Sequence, residues 1–374
     1  MSHQTPSNTS SHQSAHSSPR RSGSHDDALT RREALKRTGL AAGAAAAFGA
    51  GAALPTIARA QGDAAPARSA PAPAAPATEP PAFYRVSVGA IECTILSDGG
   101  GPSPGSPQPI FAPDADPADV ERILTDRYLP TDRSTSYFNA MLIKSGNAVV
   151  LVDTGSGDLI GPAGGKLEAN LRASGVTPEQ VTHVILTHAH LDHMGGLRTS
   201  WEANAGAPRF PNARLVASRA EHDFWTSAAP DLSGLRVPDD FKKRFLALGA
   251  ATFESFKGAT DLVQPGDRIL PGIEILEAPG HTPGHICVLV RDGDSTLLHM
   301  ADVAHHFLLV FARPEWSPIY DAEPARAEAT RRRIFDMAAM DRLNVVGYHM
   351  PWPGVGNIRR GGNGYEWLLR PWGL

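Results

Sequence analysis

From residue 84 onward the chain breaks into short apolar runs separated by glycine, proline and polar clusters, as expected of strands joined by turns. Residues 85–88, 91–97, 140–144 and 149–153 predict four consecutive strands. A Gly/Pro-rich excursion, 99–113, and a helix over 117–126 with proline at its entry lie between the second and third. A helical pattern follows over 166–173. Residues 181–187 then read as a buried strand that ends directly on a polar cluster. The pattern repeats after this point: strand 214–217, helices 221–225 and 239–248, strands 273–277, 286–290 and 296–299, helix 324–339 and strand 344–347. Strands in two groups with helices after each fit an α/β domain of two packed sheets with helices outside, although periodicity alone leaves the architecture open.

The first eighty residues follow no such pattern. Residues 1–28 are Ser-, His- and Gln-rich and too polar to bury a core. Arg31 and Arg32 precede an Ala/Gly-dominated apolar stretch, 39–54, and then Ala58-Arg59-Ala60. This resembles a twin-arginine export signal cleaved after Ala60, which implies the twin-arginine export machinery as a partner and a periplasmic or secreted mature protein. The stretch is shorter and less apolar than a membrane-spanning helix requires, so no membrane association is expected after cleavage. Residues 61–82, rich in Ala and Pro, read as a semi-rigid linker. The partition expected is therefore 1–60 for the disordered N-terminus and export signal, 61–82 for the linker and 83–374 for one catalytic domain.

Composition narrows the chemistry. A formal net charge of −4 with no basic stripe disfavours a nucleic-acid partner. The two cysteines, Cys93 and Cys287, form no CxxC pair, so a metal site would be built from His and carboxylate; a disulfide between them stays open.

The strongest signal is Thr187-His188-Ala189-His190-Leu191-Asp192-His193, directly after the buried strand and before Met194-Gly195-Gly196. A turn into a helix there would direct His188 and His190 to one metal, and Asp192 and His193 to another, with ligand types that zinc and similar ions accept. Three further elements end strands in the same way: Gly280-His281-Thr282-Pro283-Gly284-His285, Met300-Ala301-Asp302 and Gly347-Tyr348-His349. A lone strand-end Asp or His is ordinarily a cap. Four strand ends carrying such residues point to one shared centre.

With these motifs the chain resembles the metallo-β-lactamase superfamily over nearly all of residues 84–360. The resemblance implies a single-domain, four-layer αβ/βα sandwich. It also implies a first metal on His188, His190 and His281, a second on Asp192, His193 and His349, and Asp302 bridging both. It makes His281 rather than His285 the ligand, His285 a supporting residue, and Asp153 of the Val-Asp-Thr-Gly turn the aspartate that steadies the site. Closer similarity lies with exported methyl parathion hydrolase-like members, through Ser134 to Asn139, Leu151 to Gly155 and Tyr348 to Gly356. His305, three residues after Asp302, also matches that group, whereas quorum-quenching lactonases carry Tyr there.

The resemblance implies a binuclear hydrolase, with a metal-bridging hydroxide as nucleophile, acting on ester, lactone or phosphotriester bonds of a small molecule. Two divalent ions are expected, zinc by default, with manganese, cobalt or iron compatible. Asp192 would serve as ligand and orienter, and His305 as a hydrogen-bond donor to the oxyanion or leaving group. Trp201, Phe224, Trp225, Phe307 and Trp316, near the ligand turns in sequence, are the expected aromatic lining of a substrate pocket. A β-lactamase and a mononuclear-iron sulfur dioxygenase of the same superfamily are the alternatives, and an RNA-processing nuclease a more distant one. A homodimer is compatible with the sequence.

Overall fold

The protein is described by a computed structural model covering residues 82–202 and 206–370. The expected export signal and nearly all of the expected linker lie outside these residues. Fourteen strands among the described residues form two seven-stranded sheets. The first runs in spatial order β1 (Phe83–Val88), β2 (Ile91–Pro104), β3 (Arg133–Ser145), β4 (Ala148–Val152), β5 (His183–Leu186), β6 (Arg214–Ser218) and β7 (Thr260–Val263). Its first four strands pair antiparallel and its last three junctions are parallel. The second holds β8 (Arg268–Leu270), β9 (Ile273–Glu277), β10 (Ile286–Asp292), β11 (Ser295–His299), β12 (Asn344–Val346), β13 (Val355–Gly361) and β14 (Gly364–Leu369), with β11–β12 as its one parallel pair. The helices are α1 (Gln108–Phe111), α2 (Pro117–Thr125), α3 (Leu167–Ala173), α4 (Leu191–Met194), α5 (Arg219–Thr226), α6 (Asp239–Ser255), α7 (Leu309–Ala312) and α8 (Pro324–Met340).

The alternation of side chains along each strand accounts for the layering. Val150 and Val152 of β4, Ile185 of β5, and Ile286, Val288 and Val290 of β10 meet in one core between the sheets. Their neighbours face the opposite way. Leu151, Val184 and Leu186 pack under α3 and α6, while Cys287 and Leu289 pack under α8. Both faces of both sheets are therefore covered, giving the αβ/βα sandwich. Parallel junctions need crossovers, and α3, α4, the pair α5 and α6, and the pair α7 and α8 lie in them.

The strands around the motifs form where the apolar pattern predicts. The Gly/Pro-rich excursion differs at its start, because β2 continues through Gly99-Gly100-Gly101 to Pro104 and pairs with β3 after a register shift at Ser97/Gly99. Gly100, at φ 130°, lies so close to β3 that a Cβ would sit 2.2 Å from the Ser136 carbonyl oxygen, so glycine is required by backbone approach rather than by a turn. Strands β7, β8, β13 and β14 escape the sequence pattern. β7, β8 and β14 are edge strands, and the β13–β14 hairpin carries Arg359, Arg360 and Glu366 among its apolar positions.

The open question over the cysteines is resolved by the same alternation. Cys93 points into the core between the sheets and Cys287 into the layer under α8, and both are free thiols. Burial pushes each thiol up to about 12. We predict that a thiol-specific reagent at pH 8 finds no reactive cysteine in the native protein and two after denaturation in urea. Fast labelling of the native chain would contradict this packing.

Candidate metal centre

Strand β5 delivers the first motif. Asp153, at φ 59° just past the end of the neighbouring β4, turns its carboxylate across to the next strand. Oδ1 accepts the Thr187 N–H at 2.8 Å, while Oδ2 accepts the Thr187 hydroxyl at 2.8 Å and lies 2.8 Å from His193 Nδ1. This fixes the His193 ring with Nε2 directed inward, 3.1 Å from Asp302 Oδ1 and 3.7 Å from Asp192 Oδ2. The glycines after Met194 let the one-turn α4 close against the β4 loop: a Cβ on Gly196 would stand 1.9 Å from the Thr154 carbonyl oxygen.

The second motif joins β9 to β10. His281 Nδ1 lies 2.9 Å from Asp321 Oδ1, and Asp321 Oδ2 accepts from Arg331 at 3.1 Å. The buried Arg331 in turn donates to the carbonyls of Val303, Pro314 and Trp316. His285 turns away from the centre: Nδ1 faces the Ala278 carbonyl at 2.9 Å and Nε2 accepts the Asp302 N–H at 3.1 Å. Burial lowers its pKa to about 4, which keeps the ring neutral for that pair of bonds. It thus steadies Asp302 through the backbone.

Asp302 is the point of convergence. Its Oδ2 lies 2.9 Å from His305 Nε2, 3.2 Å from His349 Nε2, 3.3 Å from His281 Nε2 and 3.7 Å from His188 Nε2. His190 Nδ1 stands 2.8 Å from His281 Nε2, and His349 Nε2 3.5 Å from Asp192 Oδ2. The structure therefore brings together all seven residues expected as ligands, in overlapping triads: His188/His190/His281, His188/His193/Asp302 and Asp192/His193/His349. His305 enters a fourth triad, with His281 and Asp302, and stacks on the His349 ring at 5.2 Å.

The donor set fits divalent metal. The Nε2 atoms of His188 and His193 and the Oδ1 of Asp302 are buried and make no aligned hydrogen bond. One such atom costs about 1–3 kcal/mol. Several aimed at one region are what a cation would satisfy. Burial drives the pKa values of His188, His190 and His281 well below the usual imidazole range, leaving neutral rings with free lone pairs. Burial opposes charge on Asp302 too, but His193, His349, His305 and His188 hold its carboxyl well below the usual range. At His193, burial is outweighed by Asp302, Asp192 and Asp153, which raise its proton affinity, the field of a site arranged for positive charge.

A cavity of about 600 Å³ opens onto His190, Asp192, His281, Asp302, His305 and His349. Phe111, Phe138, Ile160, Phe241, Phe245 and Tyr320 line it. The aromatic lining expected from sequence is therefore corrected. Trp201 donates to the Gly195 carbonyl at 2.7 Å, Trp225 donates to Glu221, and Phe224 packs on Trp225. Phe307 stacks on His306 and lines a different cavity, while Trp316 packs with Leu309 and its neighbours. Proximity in sequence to a ligand turn places these rings beside or behind the centre; the actual walls come from α1, α6, β3 and the segment before α8.

Glu221, Asp321 and Arg331 were not legible as site residues. Glu221, wholly buried, accepts from the Ala189 N–H at 2.8 Å, Trp225 Nε1 at 2.7 Å, Thr282 Oγ1 at 2.6 Å and the Gly284 N–H at 3.2 Å, joining the two motif loops. Ser218-Arg219-Ala220-Glu221 looks like a helix-capping box, and Ser218 does cap α5, which disguises the carboxylate's inward turn.

A model of the metallo-beta-lactamase superfamily matches residues 137–349, more than half of the chain, and the protein belongs to that superfamily. A probable metallo-hydrolase of Mycobacterium tuberculosis is 27% identical over 191 residues, 45% of this chain and 57% of its own length. An N-acyl homoserine lactonase of Agrobacterium fabrum is 33% identical over 140 residues, 36% of this chain and 46% of its own. The chain thus matches less than two thirds of these relatives' lengths. Among solved structures, AidC, a dizinc quorum-quenching lactonase held with a product, superposes with a TM-score of 0.73 at 26% identity, over 78% of this chain and 98% of its own. The hydrolase AbOPH of the beta lactamase superfamily gives 0.69 at 27% identity, over 79% and 99%. Within this superfamily the chain carries a His/Asp cluster suited to divalent metal.

Replacing Glu221 with Ala would strand four buried donors at once. We predict a loss of about 3 kcal/mol or more in urea unfolding, with weaker metal retention on dialysis. Unchanged stability and metal content would show that the two loops hold without it.

Proposed function

We propose that this protein is a binuclear metal hydrolase that cleaves ester, lactone or phosphotriester bonds in small uncharged molecules. The carrying observation is a complete seven-residue cluster around Asp302, opening onto a cavity whose remaining lining contains no Lys, Arg, Asp or Glu. AidC's description as a dizinc lactonase and the N-acyl homoserine lactonase relative support the carbonyl branch, and AbOPH's description as a hydrolase fits the same class.

His188, His190 and His281 would hold one ion, Asp192, His193 and His349 the other, with Asp302 shared. When bound, divalent ions at these positions supply Lewis acidity and a water deprotonated near neutral pH. Zinc is the default, and manganese, cobalt or iron suit the same donors. The chain's own contribution is orientation and exclusion of water. Asp153 and Asp321 fix the rings of His193 and His281 through Nδ1. Phe241, Phe245 and Phe111 would receive the apolar part of the substrate, and His305 would donate to the oxygen that gains charge. The Arg31-Arg32 segment supports an exported mature chain.

The first test is kcat/KM for an N-acyl homoserine lactone and for methyl parathion, side by side, with metal analysis. Two ions per chain and turnover of at least one substrate are expected, abolished by exhaustive chelation and restored by zinc or manganese. Preference for the lactone would make this a carbonyl hydrolase. Inactivity on both with a single iron would overturn the proposal in favour of the dioxygenase alternative.

A further inference from the structure

Tyr320 lies in the segment between α7 and α8, and its neighbours on both sides are locked. The Ile319 N–H donates to the Ile110 carbonyl at 2.9 Å, and the Ile319 carbonyl accepts from the Arg236 N–H at 2.9 Å. On the other side, Asp321 faces His281 and Arg331, and the Ala322 N–H donates to the His281 carbonyl at 2.9 Å. The phenol is therefore presented from a fixed backbone. It lines the cavity with Asp192, Asp302, His305 and His349, its ring 6.3 Å from that of His305.

The buried tyrosines spend their hydroxyls on the protein: Tyr348 donates to the Asp192 carbonyl at 2.6 Å, and Tyr365 donates to Asp336. Tyr320 is half-buried, on the wall of the cavity. Its hydroxyl has no hydrogen bond to any described residue.

We propose that Tyr320 is a catalytic residue that donates a hydrogen bond to the departing oxygen of the substrate as negative charge builds on it. The inference rests on the hydrolase reading above. The reaction stays a simple hydrolysis: the bond from carbonyl carbon or phosphorus to the leaving oxygen breaks, that oxygen takes the electron pair, and water supplies the new hydroxyl group and the proton. The phenol lends its hydrogen bond and ends the cycle unchanged.

The test uses the full metal-loaded chain and Tyr320→Phe on a series of aryl esters differing in the acidity of the phenol released. Phe keeps the ring and removes the donor. We expect unchanged metal content and thermal stability, and a loss of kcat of about 10- to 100-fold for unsubstituted phenol as leaving group. The loss should shrink towards none for 4-nitrophenol, so that the dependence on leaving-group acidity steepens. An identical slope in both proteins, whether activity is retained or lost uniformly, would overturn the assignment. If the wild-type chain with two ions bound hydrolysed no member of the series and neither substrate of the first test, the hydrolase reading would fall and this inference with it; activity on those substrates but on no aryl ester would overturn this inference alone.

Discussion

Everything at the centre depends on keeping the Asp302 carboxylate charged while it is almost wholly buried. An isolated carboxylate in such a place would take up a proton rather than remain ionised. Here the imidazoles of His188, His193, His281, His305 and His349 crowd within 3.7 Å of its two oxygens. Burial keeps His188 and His281 from carrying protons easily, whereas the surrounding carboxylates raise the proton affinity of His193 and His349. The arrangement is balanced when positive charge sits among them, and divalent ions supply it without requiring the rings to be protonated. In this sense the centre is arranged for cations, and the two sheets are the scaffold that holds its donors in place.

That scaffold works because the ligands come from the ends of strands with fixed registers. Val150 opposes His183 and Val152 opposes Ile185 across β4 and β5, which sets Asp153 level with Leu186 and its carboxylate within reach of Thr187. Leu298 opposes Val345 and His299 opposes Val346 across β11 and β12, bringing the Asp302 and His349 turns to one edge. A slip of one residue in either pair would turn the apolar side chains between the sheets outward, so the cost of misplacing a ligand is the cost of breaking the core. Buried carboxylates then refine what register sets coarsely. Asp153 and Asp321 each hold a ligand ring by Nδ1, and Glu221 ties together the loops carrying His190 and His281.

The same physics separates what could be read in the sequence from what could not. Strands buried on both faces, such as β5 and β10, announce themselves as continuous apolar runs, and the ligands follow them at once; that part of the fold and site was legible. The four-layer arrangement came from resemblance, since alternation shows that a strand has two buried faces without showing what covers them. Glu221 was hidden because a helix-capping carboxylate and a loop-joining carboxylate have the same sequence context. Asp321 and Arg331 were hidden because their partners lie 40 and 28 residues away, in contacts that no local pattern encodes. The expected aromatic wall failed for a related reason. Side chains next to a ligand are held by the loop that positions it, as Trp201 is by Gly195 and Trp225 by Glu221.

It follows that the chemistry and the choice of substrate are carried by different parts of the chain. The charged centre is built from strand ends and short turns, where a shift of even one ångström would misalign several donors. The cavity walls come from α1, α6, the extended hairpin of β2 and β3, and the segment bearing Tyr320, none of which supplies a ligand. Phe241, at the start of α6 and nearly half exposed, can change without disturbing Asp302 or its neighbours. Tyr320 stands at the boundary, since its backbone neighbour Asp321 orders His281 while its own ring faces the cavity. Substitutions in the walls should therefore redistribute activity among substrates at constant metal content, and substitutions one residue away from Tyr320, at Asp321, should lower metal affinity for every substrate alike.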